Sequence, residues 1–106
     1  SRIMQLRLSL HSPKKGSDSM AAYLLKEKSI SDELALTSWP VSNEDMVLYI
    51  LGGLSSEYST LVTSVTTRGL SISVVDLHGL LLNEEIRCQS SISNLATATA
   101  NMTSTQ

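Results

Sequence analysis

The side chains that could carry chemistry are few. His11, His78 and Cys88 are the only nitrogen and sulfur ligands apart from lysine and methionine. A structural zinc site usually takes four Cys or His ligands in close pairs, and these three do not supply one. A nucleophilic serine would need a strained elbow of the G-x-S-x-G kind, and Gly53-Leu54-Ser55-Ser56-Glu57 departs from it. Glu84 and Glu85 are adjacent on a predicted helix and point in different directions, so they do not form a two-carboxylate acid/base site. Gly52-Gly53 follows a helical stripe, not a strand, and so reads as a helix end and not as a phosphate-binding loop. His78 falls near the apolar face of its helix and reads as a packing residue. The sequence therefore points to no catalytic residue, no metal site and no cofactor, and to a non-enzymatic role without a small-molecule substrate.

The elements that position these residues are short helices. The chain has 106 residues, which suits one small domain with limited core. Its aromatics are Trp39, Tyr23, Tyr49 and Tyr58, with no Phe, so the core is built chiefly from Leu, Ile and Val. Ile3, Leu6 and Leu10 recur at helical spacing, widened by Met4 and Leu8, and Pro13 and Gly16 end this first helix. The second runs from about Met20 to Thr37, with Tyr23, Ile30 and Leu34 on one face, and Pro40 forbids its continuation. Glu27 lies on that same buried stripe.

The third and fifth helices share a start signal. Ser42 is a natural N-cap, with Asp45 at the third helical position and Val41 and Met46 placed as a hydrophobic staple. Ser73, Asp76, Ile72 and Leu77 repeat the arrangement. The third helix carries Val47, Ile50, Leu51 and Leu54, with Met46, Leu48 and Tyr49 on its other sides, which predicts a central, surrounded helix. Gly52-Gly53 is expected to close it through a left-handed residue. A fourth helix begins near Ser56 with Tyr58, Leu61, Val62 and Val65. The fifth carries Val74, Leu77 and Leu81 beside a second row of Leu82 and Ile86. From about Ser90 to Gln106 the composition turns to Ser, Thr, Ala and Asn and predicts disorder. The expected fold class is all-α, a small bundle of about five short helices.

Charge is uneven. The first fifteen residues hold Arg2, Arg7, Lys14 and Lys15 and no acid, whereas all ten acids lie between Asp18 and Glu85. A net charge of -2 argues against a dedicated nucleic-acid binder. The four basic residues allow weak, salt-sensitive phosphate contacts at most. No apolar run approaches the length that spans a bilayer, so no membrane role is expected. One cysteine excludes an internal disulfide and fits a reducing, cytoplasmic setting.

Three ordered landmarks, LRLSL followed by KKGS, then VSNEDMVLYILGGLSSEY, then TTRGLSISVVDLHGLLLNEEIR, resemble the Gag polypeptide of copia-type LTR retrotransposons over Ser1 to Gln89. The resemblance implies a capsid-like central helical region, truncated at its N-terminus relative to the family. It also implies an ancestral role in particle self-assembly around the element's RNA. Gag–Gag association is then the implied partnership, and RNA contact through this segment is weak, because the family's zinc knuckle lies downstream. A host-adopted helical protein–protein interaction domain is the alternative, and a weak nucleic-acid-binding module through the basic start is a third reading. Two departures from the family pattern stand out. The second helix lacks the staple and the box acid at Asp18-Ser19-Met20-Ala21-Ala22, and Glu27 replaces an aliphatic residue on the buried stripe.

Overall fold

A computed structural model describes the backbone of residues 1–68 and 71–104 and the side chains of 1–68 and 71–92. Five α-helices follow in order: α1 (Arg2–His11), α2 (Met20–Leu36), α3 (Asn43–Gly52), α4 (Ser59–Thr67) and α5 (Val74–Ser104). A 3-10 turn, Ser56–Tyr58, leads into α4. No strand occurs among the described residues, so the all-α expectation holds. The disorder expected from about Ser90 lies, from residue 93 onward, outside the described side chains. Ser90, Ser91 and Ile92 are helical and exposed.

Local signals set most boundaries. The Ser42 and Ser73 hydroxyls each accept the backbone N–H three residues on, from Asp45 and Asp76, both at 3.1 Å. The staples form as spaced in the sequence: Met46 and Leu77 are buried, with Val41 and Ile72 packed against the core. The two starts are also tied together. Asn43 donates from Nδ2 to the Ile72 carbonyl at 2.9 Å, and its Oδ1 accepts the Val74 N–H at 2.9 Å. One side chain thus joins the first turn of α3 to the entry of α5.

The start of α2 is better satisfied than its sequence suggests. Ser19 caps it by accepting the Ala22 N–H. The carboxylate that its own first turn lacks comes from α5, where Glu85 Oε2 accepts the Met20 N–H at 2.7 Å. A negative charge there also meets the positive end of the α2 dipole. Lys15 completes the cluster, with Nζ 3.8 Å from Glu85 Oε2 and 5.7 Å from the centre of the Tyr58 ring. Burial, with Glu57 and Glu85 adding repulsion, pushes the Tyr58 phenol up to about 12.

The α2 C-terminus is a full Schellman turn with serine where glycine usually sits. Ser38 has φ 67°, its N–H donates to Ala35 O, and the Trp39 N–H donates to Leu34 O at 2.8 Å. The turn folds Trp39 back over Leu34 towards α1.

The core gathers Leu6 and Leu10 of α1, Met20, Tyr23, Leu24, Ile30 and Leu34 of α2, and Met46, Val47, Ile50 and Leu51 of α3. Tyr58, Val65, Leu77 and Leu81 complete it. Tyr23 donates its hydroxyl to the Ile50 carbonyl at 2.7 Å, a second and shorter bond to an oxygen in the last turn of α3 that also accepts the Gly53 N–H at 3.3 Å. Burial, then the charge of Glu27, raises the Tyr23 phenol above its ordinary range. Glu27 is buried at 1 % exposure, as its place on the stripe predicts.

Four expectations need correction. Neither glycine after α3 is left-handed: Gly53 has φ −93°, and Gly16 is the positive-φ glycine among the described residues. The reason for glycine at position 53 is close approach, because a Cβ there would run into the Tyr23 hydroxyl and the Pro13 carbonyl. The stripe on α1 is narrower than predicted, since Met4 and Leu8 face solvent. The third helix is central but not surrounded, since Leu48 is exposed. Finally, only Leu77 and Leu81 of α5 enter the core; Leu82 and Ile86 point outward, because α2 and α3 both pack on the other side of the helix.

Candidate functional site

The residues with chemical potential are not brought together. No cluster of three or more His, Cys, Asp or Glu forms among the described residues. Cys88 is half-buried on α5 beside the Glu57 carbonyl, and burial followed by the nearby Glu84 raises its thiol pKa. A thiol held protonated in this way is a poor nucleophile. His78 is half-buried, and burial followed by Lys28 lowers its pKa, which suits the packing role expected of it. Glu84 is held by Arg87 through 3.1 Å bonds from Nε, and this pairing lowers its pKa.

The basic start is not a continuous patch. Arg2 pairs with Glu33 at 2.9 Å. Arg7 lies 4.1 Å over the Trp39 ring. Lys15 is buried beside Glu85, so the expectation that it contacts phosphates is corrected: the loop after Pro13 turns its side chain inward. Lys14 remains exposed. Of the four candidate contacts, Lys14, in the loop after α1, is exposed without an ion-pair partner among the described residues, while Arg2 at the other end of α1 is exposed but paired with Glu33.

Two surfaces stand out instead. The first is a cleft of about 220 Å³ between α1, the Schellman turn and the start of α3, with Arg7, His11, Trp39, Asp45 and Tyr49 among its walls. His11 is held at both nitrogens. Nδ1 donates to the Arg7 carbonyl at 2.7 Å, and Nε2 accepts the Tyr49 hydroxyl at 2.8 Å in the neutral tautomer that satisfies both. The two rings meet edge to face at 4.6 Å between centres. Sequence reasoning missed this cleft because nothing local announces that Ser38 adopts a left-handed conformation and swings Trp39 onto α1.

The second surface is the outer row of α5. Val75, Leu82 and Ile86 are 79 %, 38 % and 61 % exposed. With Gly79 between them they are spaced four, three and four residues apart, which places them on one helix face. A Cβ added at Gly79 would meet open space, so a second backbone has room to approach there. The sequence did reveal the Leu82 and Ile86 row, but not that it faces outward.

No helix among the described residues is long and apolar enough to cross a membrane. No protein-family model, curated protein or solved structure matches this chain.

Proposed function

We propose that this chain is a structural, non-enzymatic segment of the copia-type Gag kind, and that it works by self-association through α5. The observation that carries the reading is the solvent-facing row of Val75, Leu82 and Ile86 at heptad-like spacing around Gly79. Val75, Gly79, Leu82 and Ile86 together keep the 4-3-4 spacing by which helices pair along a seam, with three apolar side chains and one glycine in the row. The all-α architecture and the three landmarks of the sequence support the family side of the reading. The seam is short, and immobilising two chains costs about 4 kcal/mol or more. Association of this chain alone is therefore weak and concentration-dependent. The host-adopted interaction domain is the same physics with a different partner.

Salt separates this reading from nucleic-acid binding. Apolar association does not weaken as ionic strength rises, and sulfate strengthens it. Phosphate contacts release counterions and lose affinity steeply with salt. Light scattering of the chain should therefore report association that persists at about 0.5 M salt, where unlike-charge contacts are screened within about 4–5 Å. Retention of single-stranded RNA should vanish over the same range. Self-association that dissolves with salt, or RNA binding that survives it, contradicts the proposal.

A further inference from the structure

We infer that the α1–α3 face centred on His11 is a docking surface for an acidic peptide segment that carries apolar anchors. The inference is independent of the α5 row and uses a different face of the molecule.

Three concavities of about 220, 250 and 310 Å³ adjoin at His11, which lines each of them. Their rims expose apolar side chains that the core does not use: Met4 and Leu8, at 62 % and 67 % exposure, and Leu48 on α3. Trp39, Tyr49 and Arg7 lie among them, and Trp, Tyr and Arg dominate the residues that carry binding energy at protein interfaces. The surface is also pre-formed. Arg7 is stacked on Trp39, and His11 is fixed between the Arg7 carbonyl and the Tyr49 hydroxyl, so little side-chain freedom is lost on docking.

Charge selects the occupant. Arg7 and Lys14 flank the concavities, and α1 holds no acid at all. The acid that lines the first cleft, Asp45, sits in the first turn of α3, where the helix N-terminus already offsets it. A second copy placed by a twofold axis would set the same patch against itself, bringing the basic Arg7 and Lys14 of one copy into the like-charged field of the other. An acidic partner meets the same field favourably. RNA fits less well. Arg7 already occupies one face of Trp39 and Tyr49 is tied to His11 edge to face, so the surface lacks the row of open aromatic platforms along which successive bases stack. An amphipathic helix with leucines at one-turn spacing and glutamates around them supplies the required chemistry.

Trp39 is the sole tryptophan and lies in the surface, so its fluorescence reads occupancy directly. The full chain is titrated with a peptide of about sixteen residues bearing Leu at i, i+3, i+4 and i+7 and Glu elsewhere, following the helix-in-groove pattern. A second titration uses the same peptide with Lys in place of Glu, and a third uses poly(U). The expected result is a saturable blue shift with the Glu peptide alone. It should weaken at least about tenfold in Leu8→Glu, the size expected when a well-seated apolar anchor is lost. It should also weaken in Lys14→Glu. Both positions are exposed, and unchanged circular dichroism confirms that the variants fold. Equal response to the Lys peptide, indifference to Leu8→Glu, a saturating response to poly(U), or a blue shift produced by raising protein concentration alone would each overturn the inference.

Discussion

Replacing Glu27 by valine should make the protein more stable, by an amount that grows with pH. The carboxyl is 1 % exposed on the inner face of α2, and its Oε2 has no hydrogen-bond partner among the described residues. Burial, opposed only in part by Lys26, raises its pKa from 4.5 to about 7. A carboxyl with a folded pKa above its unfolded value binds more protons when folded. The contribution of Glu27 to stability is therefore most favourable below about pH 4.5 and falls as pH rises towards 7, with nothing further lost above that. A rise of this size corresponds to about 3 kcal/mol at neutral pH and above. Valine removes that loss and adds an aliphatic group worth roughly 1.5–3 kcal/mol, less about half a kcal/mol of helix propensity. Denaturant midpoints measured from pH 4 to 8 should show a falling curve for the native chain and a flatter, higher one for Glu27→Val. Valine at the exposed neighbour Ser29 should leave the pH dependence intact. A curve for Glu27→Val that parallels the native one would mean that the carboxylate is solvated or paired in solution.

The adjacent glycines should respond to alanine with opposite signs. Gly52 closes α3, and a Cβ there meets nothing within 4 Å. Alanine should therefore stabilise by about 0.5–1 kcal/mol through helix propensity and a less flexible unfolded chain. At Gly53 the backbone would accept alanine, but the new Cβ would lie 2.7 Å from the Pro13 carbonyl oxygen and closer still to the Tyr23 hydroxyl. That hydroxyl cannot retreat freely, because it is buried and bonded to the Ile50 carbonyl. The Pro13 loop is also pinned, since the Lys15 N–H donates to the Gly53 carbonyl at 2.9 Å. Overpacking and a displaced buried hydrogen bond together should cost about 3 kcal/mol or more. Thermal unfolding of the two single variants checks both signs at once. If Gly53→Ala is neutral, the junction of α1, α2 and α3 is looser than these contacts imply.

Both results bear on what the sequence makes legible. Caps and staples at Ser42 and Ser73 could be read directly, because their partners lie within four residues. The burial of Glu27 was legible too, since a 3.6-residue period assigns it to the face of Tyr23 and Ile30 whatever its charge. What escaped depends on distant segments. Gly53 looks like any helix-ending glycine until Tyr23 and Pro13 arrive against it. Lys15 reads as a solvated turn residue until Glu85, seventy positions later, meets it. Trp39 gives no hint of its cleft, because a serine, not a glycine, makes the left-handed turn that places it. The two apolar rows of α5 are both visible in the sequence, but which one is buried is decided by the side on which α2 and α3 pack.

The outer row is therefore the point on which the functional account turns, and sedimentation velocity across a wide concentration range tests it most directly. The native chain should sediment with a mass that climbs above that of a monomer as concentration increases. Leu82→Glu/Ile86→Glu should remain monomeric with unchanged helicity, because both side chains lie outside the core. A native chain that stays monomeric throughout, or a double variant that associates as the native chain does, would contradict assembly through α5.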